Sequence, residues 1–336
     1  MVLLPGEFLE MGKVLPVVDV RTPAEFEQGH IPGAHNIPLF TNEERAVVGT
    51  LYKREGKEVA FMKGLDYVGP RMRWFVKEAR RLAPSREILV HCWRGGMRSG
   101  SMAWLFRSAG FTAHTLEGGY KGYRRHIRKK FETDSRWIII GGYTGSGKTE
   151  ILKELEKLGN QIVDLEGIAR HKGSAFGHIG QKPQPTTEQF ENNLAARWNE
   201  LDFSKTIWME DESKAIGHVF QPENFYRKLR TSTLVFVEVP KEARISRLVK
   251  EYAGIDKNAL AQALAKIVKR LGGQNYQKAV KALEVDDYAT VADITLTYYD
   301  KAYGYGVSQR DKSKVIILKV DGDNPPETAE KIISLF

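Results

Sequence analysis

One cysteine occurs in the 336 residues, at the start of the loop HCWRGGMRSGS (residues 91–101). A lone cysteine is most often a small buried hydrophobe. Here an apolar, strand-like run precedes the loop and a helix-like segment follows it, so we expect the sulfur to lie at a helix N-terminus among inward-pointing N–H groups. Such a field predicts a thiol pKa below the free value of about 8.5 and a nucleophilic thiolate. The candidate catalytic residues are Cys92, Arg94, Gly95, Gly96 and Arg98.

A second stretch, GYTGSGKT (residues 142–149), has the spacing of a phosphate-binding loop between a strand-like and a helix-like segment. Its glycines let backbone N–H groups converge on two adjacent phosphates, and Lys148 neutralises them. The Thr149 hydroxyl is placed to reach a magnesium ion. The predicted diphosphate-binding residues are Gly142, Thr144, Gly145, Ser146, Gly147, Lys148 and Thr149.

Acidic residues at the end of a later strand-like run, IWMEDES, are candidates for holding that magnesium ion. We choose Asp211 as the ligand, against the alternative of solvated acids at a strand end. No tightly bound cofactor is expected beyond magnesium. Two further residues, Arg244 and Arg247, belong to a helix-like segment and face either phosphate or solvent.

The elements around these loops alternate between strand and helix patterns, which indicates α/β folds with mostly parallel sheets. The length favours two domains. We predict a first α/β domain over residues 1–125, a basic linker over residues 126–136, and a phosphate-loop (kinase-like) α/β domain over residues 137–336. A helical insertion follows Gly254 in the second domain.

Composition narrows the setting and the partners. A single cysteine excludes an internal disulfide framework, and neither a membrane span nor a secretion signal is visible, so we expect a cytoplasmic protein. The net charge is +9, and +5 of it falls in residues 121–136, KGYRRHIRKKFETDSR. This run predicts contacts to a polyanion such as RNA, with a solvated linker helix as the alternative. The predicted RNA-binding residues are Arg124, Arg125, Arg128, Lys129 and Lys130.

Three motifs of the first domain resemble the signature of rhodanese-fold sulfurtransferases: DVRTPAEF (19–26), GHIPGAHNIP (29–38) and LEGGY (116–120). The resemblance implies that Cys92 corresponds to the chalcogen-carrying cysteine, and that Asp19, Arg21 and His30 hold the scaffold together. The loop here is one residue longer than in common sulfurtransferases of this fold. Its Cys-x5-Arg length matches related phosphatases, which favours a larger ligand such as a phosphate-type oxyanion.

The order of the two domains, the loops CWRGGMRSGS and GGYTGSGKT, and the later motifs WMEDES and YDKAYGYG resemble the tRNA 2-selenouridine synthase family over essentially the whole chain. That family replaces the sulfur of wobble 2-thiouridine with selenium from selenophosphate, through an S-geranylated intermediate made from geranyl diphosphate. The resemblance implies a tRNA partner, selenophosphate and geranyl diphosphate as co-substrates, and Cys92 as the selenium carrier. It implies neither a membrane partner nor an obligatory protein partner.

Two other functions remain open from the residues. A cysteine phosphatase joined to a phosphate-loop kinase would suit both loops, although no acidic residue inside HCWRGGMRS could protonate a leaving group. Alternatively, the first domain is a binding module without catalysis that recruits RNA to a phosphate-loop ATPase. Loss or retention of activity in Cys92→Ala separates these readings.

Overall fold

The computed structural model describes residues 1–336 and divides into two units, Met1–Lys130 and Phe131–Phe336. Each unit contains a five-stranded, fully parallel sheet with helices packed against it, as the alternating pattern predicts. None of the helices combines the length and the apolarity needed to cross a bilayer.

The first unit has the strand order β1-β5-β4-β2-β3. Its elements are β1 (Val2–Leu3), α1 (Pro5–Met11), β2 (Val17–Asp19), α2 (Pro23–Gln28), β3 (His35–Asn36), α3 (Asn42–Arg54), α4 (Lys57–Val68), α5 (Met72–Leu82), β4 (Glu87–His91), α6 (Met97–Ser108), β5 (Thr112–Leu116) and α7 (Gly119–Lys130). Because β4 is central and parallel to its neighbours, the loop that follows it lies at the carboxyl edge of the sheet, where ligands of such folds bind.

A buried ion pair fixes the core of this unit next to β2. Arg21 and Asp19 are both fully buried, and the Arg21 Nη2 donates to Asp19 Oδ2 over 2.6 Å and to the carbonyl of Gly29 over 2.7 Å. The guanidinium also lies 3.8 Å from the ring centroid of Tyr120. The scaffold role expected for Asp19 and Arg21 is therefore confirmed.

The second unit has the strand order β12-β11-β6-β8-β7. Its elements are β6 (Trp137–Gly142), α8 (Lys148–Lys157), β7 (Gln161–Val163), α9 (Leu165–Ala169), α10 (Thr187–Trp198), β8 (Ile207–Glu210), β9 (Ala215–Ile216), β10 (Val219–Phe220), α11 (Glu223–Thr231), β11 (Thr233–Glu238), α12 (Lys241–Tyr252), α13 (Lys257–Lys266), α14 (Val268–Leu271), α15 (Gly273–Glu284), α16 (Tyr288–Ser308), β12 (Val315–Lys319) and α17 (Pro325–Ile333). The strands β9 and β10 form a separate antiparallel hairpin.

The expected helical insertion comprises α13 to α16 and has its own apolar core. Leu260, Leu264, Val291 and Leu296 are fully buried in it. Gly272, which lies at a positive φ of 84°, ends α14 and starts α15 at the break that the sequence indicated. A positive φ is reached by glycine without strain, so the chain turns there without losing helix on either side.

The structure differs from the predicted linker over residues 126–136. Residues 126–130 continue α7, whose Tyr123 and Ile127 are buried in the first unit. Phe131 belongs to the second unit, where its ring packs 5.6 Å from that of Phe225 and 6.0 Å from that of Trp198. Because Tyr123 and Ile127 pack in the first unit and Phe131 packs in the second, the basic run is not a free linker. The boundary between the two units falls between Lys130 and Phe131.

Candidate functional site

Cys92 lies directly after β4, with its side chain 3% exposed. One side of it joins the apolar core that contains Val90 and Met102. Its Sγ lies 3.2 Å from the Ser99 hydroxyl at the start of α6. Burial opposes the thiolate, but hydrogen bonds from the Ser99 hydroxyl and from the N–H groups of Ser99 and Arg94 outweigh it and lower the pKa of Cys92. The loop therefore stabilises a thiolate, as its sequence predicts.

Because the chain has a single cysteine, alkylation reports on this thiol alone. We expect the rate of Cys92 alkylation by iodoacetamide to rise with pH around an inflection below the value of about 8.5 of a free thiol. Ser99→Ala should move the inflection upward, since it removes a hydrogen bond that favours the charged form. The urea-unfolded chain is the control. If the pH of the inflection in the native protein were at or above that in the unfolded chain, the hydrogen bonds to the sulfur described above would be contradicted.

The two glycines of the loop have different structural roles. Gly95 has a φ of +70°, and a Cβ there would lie 2.6 Å from the carbonyl oxygen of Leu116. Gly96 has a φ of −101°, and a Cβ there would meet no atom within 4 Å. Only Gly95 must be glycine for the loop to pass beneath the turn that follows β5.

These geometries predict opposite outcomes for two one-methyl substitutions. Gly95→Ala combines left-handed strain of about 1–2 kcal/mol with a backbone clash, so it should lower the midpoint of urea denaturation and change the pH profile of Cys92 alkylation. Gly96→Ala is the matched control and should leave both quantities near those of the wild type. Equal effects of the two substitutions would show that the loop conformation is not the one described.

The two arginines of the loop do not surround the thiol symmetrically. The Arg98 guanidinium forms a bidentate contact with Glu25, at 2.7 Å and 3.2 Å, and is mostly buried. It is a minor cause of the lowered pKa of Cys92 and is committed to a carboxylate. The Arg94 side chain is exposed, while its backbone N–H points at the sulfur. The prediction that both guanidinium groups bind the ligand is thus corrected, because Glu25 occupies that of Arg98.

The phosphate-binding loop connects β6 to α8 in the second unit. Gly145 and Gly147 have φ angles of +79° and +73°, conformations that glycine adopts without strain and that allow successive N–H groups to turn inward. The Ser146 hydroxyl is buried and has no hydrogen-bond partner. The loop thus presents donors for an anion, as the sequence predicts.

Lys148 is the charged centre of this loop. Its Nζ lies 5.2 Å from the ring centroid of Tyr303. Burial opposes its charge, but Tyr303, Glu166 and Glu212 hold the pKa of its ammonium above the usual range. Lys148 lowers the pKa of Tyr303, but burial together with the charges of Glu212 and Glu166 outweighs this effect and raises that pKa to about 12. Lys148 is therefore a permanent cation beneath the anion site.

Acidic side chains from α9 and from the end of β8 form a cluster next to Thr149. The Thr149 hydroxyl donates to Glu166 Oε2 over 2.9 Å, and the N–H of Glu166 donates to Glu210 Oε1 over 2.8 Å. Burial raises the pKa values of Glu166, Glu210 and Glu212, and a neighbouring carboxylate adds to this effect, Asp164 for Glu166 and Glu210 and Glu166 for Glu212. The buried oxygens Glu210 Oε2 and Glu212 Oε1 have no hydrogen-bond partner.

Asp211, predicted as the magnesium ligand, lies elsewhere. Its Oδ1 accepts from Arg310 over 2.5 Å and is 3.4 Å from Arg230. Asp211 follows the end of β8, and its carboxylate is neutralised by these two arginines. The contacts observed therefore do not support the predicted role of Asp211, and Glu166 is the carboxylate that contacts Thr149.

The loop opens into a cleft of about 330 Å³ whose lining is mixed in polarity. Besides the loop itself, the polar lining residues include Lys153, Asp164, Glu166, His171, Lys172, Ser174, Gln181, Arg247, Glu251 and Tyr303. The apolar lining residues, here called the apolar wall, are Phe176, Ile179, Leu248, Tyr252 and Ile255. Phe176, Leu248 and Tyr252 also belong to the core of the helical insertion, so the insertion stabilises this wall.

The arginines of α12 hold the cleft together. Arg244 forms two hydrogen bonds of 2.9 Å to Asp300 and one of 3.2 Å to the carbonyl of Thr144. Arg247 pairs with Glu150 and Asp323. The observed partners of both arginines are carboxylates and, for Arg244, also a backbone carbonyl, while Arg247 lines the cleft, so contact with phosphate stays a prediction.

The predicted RNA-binding residues of α7 divide by exposure. Arg125, Arg128 and Lys129 are exposed and Lys130 is partly buried. Arg124, by contrast, is only 8% exposed. A buried guanidinium is not available to a phosphate backbone, which corrects the prediction for Arg124.

Comparison with known proteins decides the family. Residues 6–126 match the model of the rhodanese-like domain, and residues 135–324 match that of the tRNA 2-selenouridine synthase AAA domain. A tRNA 2-selenouridine synthase of Bdellovibrio bacteriovorus is 35% identical over 341 residues, covering 86% of this chain and 88% of the relative. The chain belongs to the tRNA 2-selenouridine synthase family.

A second relative of the same name agrees with this membership. A tRNA 2-selenouridine synthase of Shewanella piezotolerans is 34% identical to this family member and covers 91% of the chain, with 92% of the relative aligned. The crystal structure of a rhodanese-related protein from Thermoplasma volcanium is 19% identical over 37% of the chain and 91% of that protein, with a TM-score of 0.24. The predicted fold, a rhodanese-like domain followed by a phosphate-loop domain, is confirmed.

Several residues at the two sites of this tRNA 2-selenouridine synthase family member were not predicted from the sequence. Ser99 lies within the cysteine loop and could have been found from its helix-start position. Glu166 lies shortly after the end of β7, just as acidic residues lie at the end of β8, so the same pattern of acids after a strand could have indicated it. Glu25 and Tyr303 lie 73 and 155 residues from their partners Arg98 and Lys148, so no local pattern connects them.

Proposed function

We propose that this protein modifies tRNA by exchanging the sulfur of a 2-thiouridine for selenium in two steps, with one step at each anion-binding loop. Family membership supports tRNA and selenium as the substrate and the element transferred. The two loops support a division of labour, because one has the donors for a diphosphate and the other favours a thiolate.

The first step is S-geranylation by geranyl diphosphate in the cleft of the second unit. The observation that carries this assignment is the combination of a diphosphate-binding loop with the apolar wall of Phe176, Ile179, Leu248, Tyr252 and Ile255. A prenyl chain would bury apolar surface against these five residues at roughly 25 cal/mol per Å². The sulfur of the base bonds to C1 of the geranyl group as the C1–O bond to diphosphate breaks.

The protein's part in this step is electrostatic. Lys148 and the inward-turned N–H groups of the loop stabilise the negative charge that grows on the departing diphosphate. A magnesium ion bound to that diphosphate would be held by Thr149 and Glu166, with Glu212 beside them, and would supply further positive charge. Magnesium commonly takes one or two carboxylates together with phosphate oxygens, and this donor set fits that habit.

The second step takes place at the cysteine loop and requires no change of oxidation state overall. Selenium of selenophosphate bonds to C2 of the base, the C2–S bond breaks with departure of geranyl thiolate, and water cleaves the P–Se bond to release phosphate. We place the Cys92 thiolate as the nucleophile that displaces geranyl thiolate, before selenium in turn displaces Cys92. A selenosulfide on Cys92, the carrier expected from the resemblance, would need an oxidant, so we prefer the displacement route.

Alkylation comes first for a chemical reason. The sulfur of a thiocarbonyl is a poor leaving group, while a thioether leaves as a thiolate and makes C2 more electrophilic. The wobble base must be splayed out of the anticodon loop to reach a cleft, as single-stranded RNA bases commonly are. The exposed side chain of Trp93, next to Cys92, is placed to stack on it. The exposed Arg125, Arg128 and Lys129 of α7 would contact phosphates.

The test supplies the protein with tRNA that carries 2-thiouridine and with geranyl diphosphate, without a selenium donor. We expect mass spectrometry of the digested tRNA to show S-geranyl-2-thiouridine, and we expect ATP in place of geranyl diphosphate to yield no tRNA-dependent phosphate. Hydrolysis of ATP without any prenylated nucleoside would instead support the phosphate-loop ATPase.

A further inference from the structure

A groove in the first unit, remote in sequence from the basic run at the junction, has the chemistry of a nucleic-acid surface. It is open and is formed by one face of α5 and the neighbouring Leu105 of α6. Its lining residues are Met72, Arg73, Val76, Lys77, Arg80 and Leu105. The opposite face of α5, with Phe75 and Ala79, is fully buried in the core.

Three cations of this groove have no carboxylate partner. Arg73, Lys77 and Arg80 are exposed, and no carboxylate oxygen lies within 4.0 Å of their charged nitrogens. Two other arginines of the same segment do have partners, since Arg71 binds Glu44 and Arg81 binds Glu78. Arg71 and Arg81 are thus paired within the fold, whereas the three cations of the groove are available to bind an anion.

The three free cations form a row. Their spacing of four and three residues puts them on one face of the helix, over about 10 Å at a rise of 1.5 Å per residue. The apolar side chains of Met72, Val76 and Leu105 line the same groove and form its apolar floor. A row of positive charges over an apolar floor suits a chain that alternates phosphates with sugars and bases.

Along the chain, α6 connects the cysteine loop to Leu105 of the groove. This helix starts at Met97, five residues after Cys92, and its exposed residues Met97, Ser101 and Trp104 have the spacing of a single face. Trp104 is 61% exposed and precedes Leu105 of the groove. An exposed indole beside free cations is the combination with which proteins hold single-stranded nucleic acid.

We propose that the groove between α5 and α6 binds the sugar-phosphate backbone of tRNA and leads the strand along α6 to the cysteine loop. The proposal rests on the proposed function only in that tRNA is the substrate. It adds a second RNA surface to that of α7, and it assigns binding to Arg73, Lys77, Arg80 and Trp104.

Salt dependence of tRNA binding tests the proposal. The triple substitution Arg73→Ala, Lys77→Ala and Arg80→Ala should make the slope of log K against log [KCl] shallower by about 2 to 3, and should weaken binding about 10²-fold at 0.1 M salt, because each phosphate contact contributes roughly 0.7 to 0.9 to that slope. Trp104→Ala should weaken binding at least about fivefold and leave the slope unchanged. Fluorescence anisotropy with unmodified tRNA measures both without any donor.

The matched control removes the same charge from another exposed surface of the first unit. Lys53→Ala, Arg54→Ala and Lys57→Ala replace three exposed cations of α3 and α4 that also have no carboxylate partner. This control should bind tRNA within about threefold of the wild type. All six positions are exposed on helices, where alanine is favourable, so both triple variants should fold.

The outcomes separate the alternatives. Equal losses in the two triple variants would show that only net charge matters and would overturn the proposal, as would no loss in either. Unchanged tRNA binding with a changed oligomeric state in the groove variant would assign the groove to a second copy of the chain. The binding assay uses unmodified tRNA and no donor. Its result is therefore independent of whether the protein geranylates or selenates tRNA.

Discussion

Lys148→Ala should abolish S-geranylation, with a loss of at least about 10² to 10³ in rate. Lys148 is half-buried, its ammonium lies beside Tyr303, and the other lysines of the cleft lining, Lys153 and Lys172, are exposed. Removal of one preorganised donor from a developing negative charge costs about 10² to 10³ in rate in comparable sites. Nucleoside mass spectrometry after incubation with thiolated tRNA and geranyl diphosphate measures the loss.

Two controls separate the chemistry from folding. Lys157→Ala removes an exposed cation from the other end of α8, where Lys157 contacts only Glu154, and it should retain geranylation. Lys148→Ala itself, given tRNA that is already geranylated and selenophosphate, should still form 2-selenouridine because the cysteine loop is intact. Loss of both steps in Lys148→Ala would contradict the assignment of one step to each loop.

Cys92→Ala should have the reverse phenotype. It removes the nucleophile of the second step, so selenation should fall by more than about 10³, as removal of covalent nucleophiles does. Geranylation should remain within a fewfold of the wild type, since the cleft of the second unit is complete. The geranylated nucleoside should therefore accumulate in the presence of both donors.

Cys92→Ser is the informative companion variant. The hydroxyl preserves the hydrogen bond to Ser99 but is a far weaker nucleophile near neutral pH, so the loop should fold normally and selenation should still fail. Full selenation by Cys92→Ala would show that the first unit only binds RNA. Release of phosphate from an aryl phosphate by the wild type, lost in Cys92→Ser, would support the phosphatase.

The parts of the site that the sequence predicts are local ones. Both loops are short, each follows a strand and precedes a helix, and glycine has to occupy fixed places in them, as the φ of Gly95 and Gly147 shows. The parallel α/β order follows from the same alternation. Patterns of this kind depend on neighbours in sequence, so they are visible without a structure.

The parts that the sequence did not predict depend on partners that are distant in the chain, or on the direction in which a side chain points. Arg98 binds Glu25 and Lys148 lies by Tyr303, contacts that only the folded sheet creates. Asp211 and Glu212 are adjacent in sequence, and β8 is buried along its whole length, so hydrophobic alternation could not indicate which acid faces the loop. Arg124 is buried for a similar reason, because charge alone does not reveal the inner face of α7.

The most direct test of the account is a time course of wild-type protein with thiolated tRNA, selenophosphate and geranyl diphosphate, followed by nucleoside mass spectrometry. We predict that S-geranyl-2-thiouridine rises first and then falls as 2-selenouridine appears after a lag, and that omission of geranyl diphosphate prevents selenation. Formation of 2-selenouridine at an unchanged rate without geranyl diphosphate would contradict the claim that the two loops act in sequence on one base.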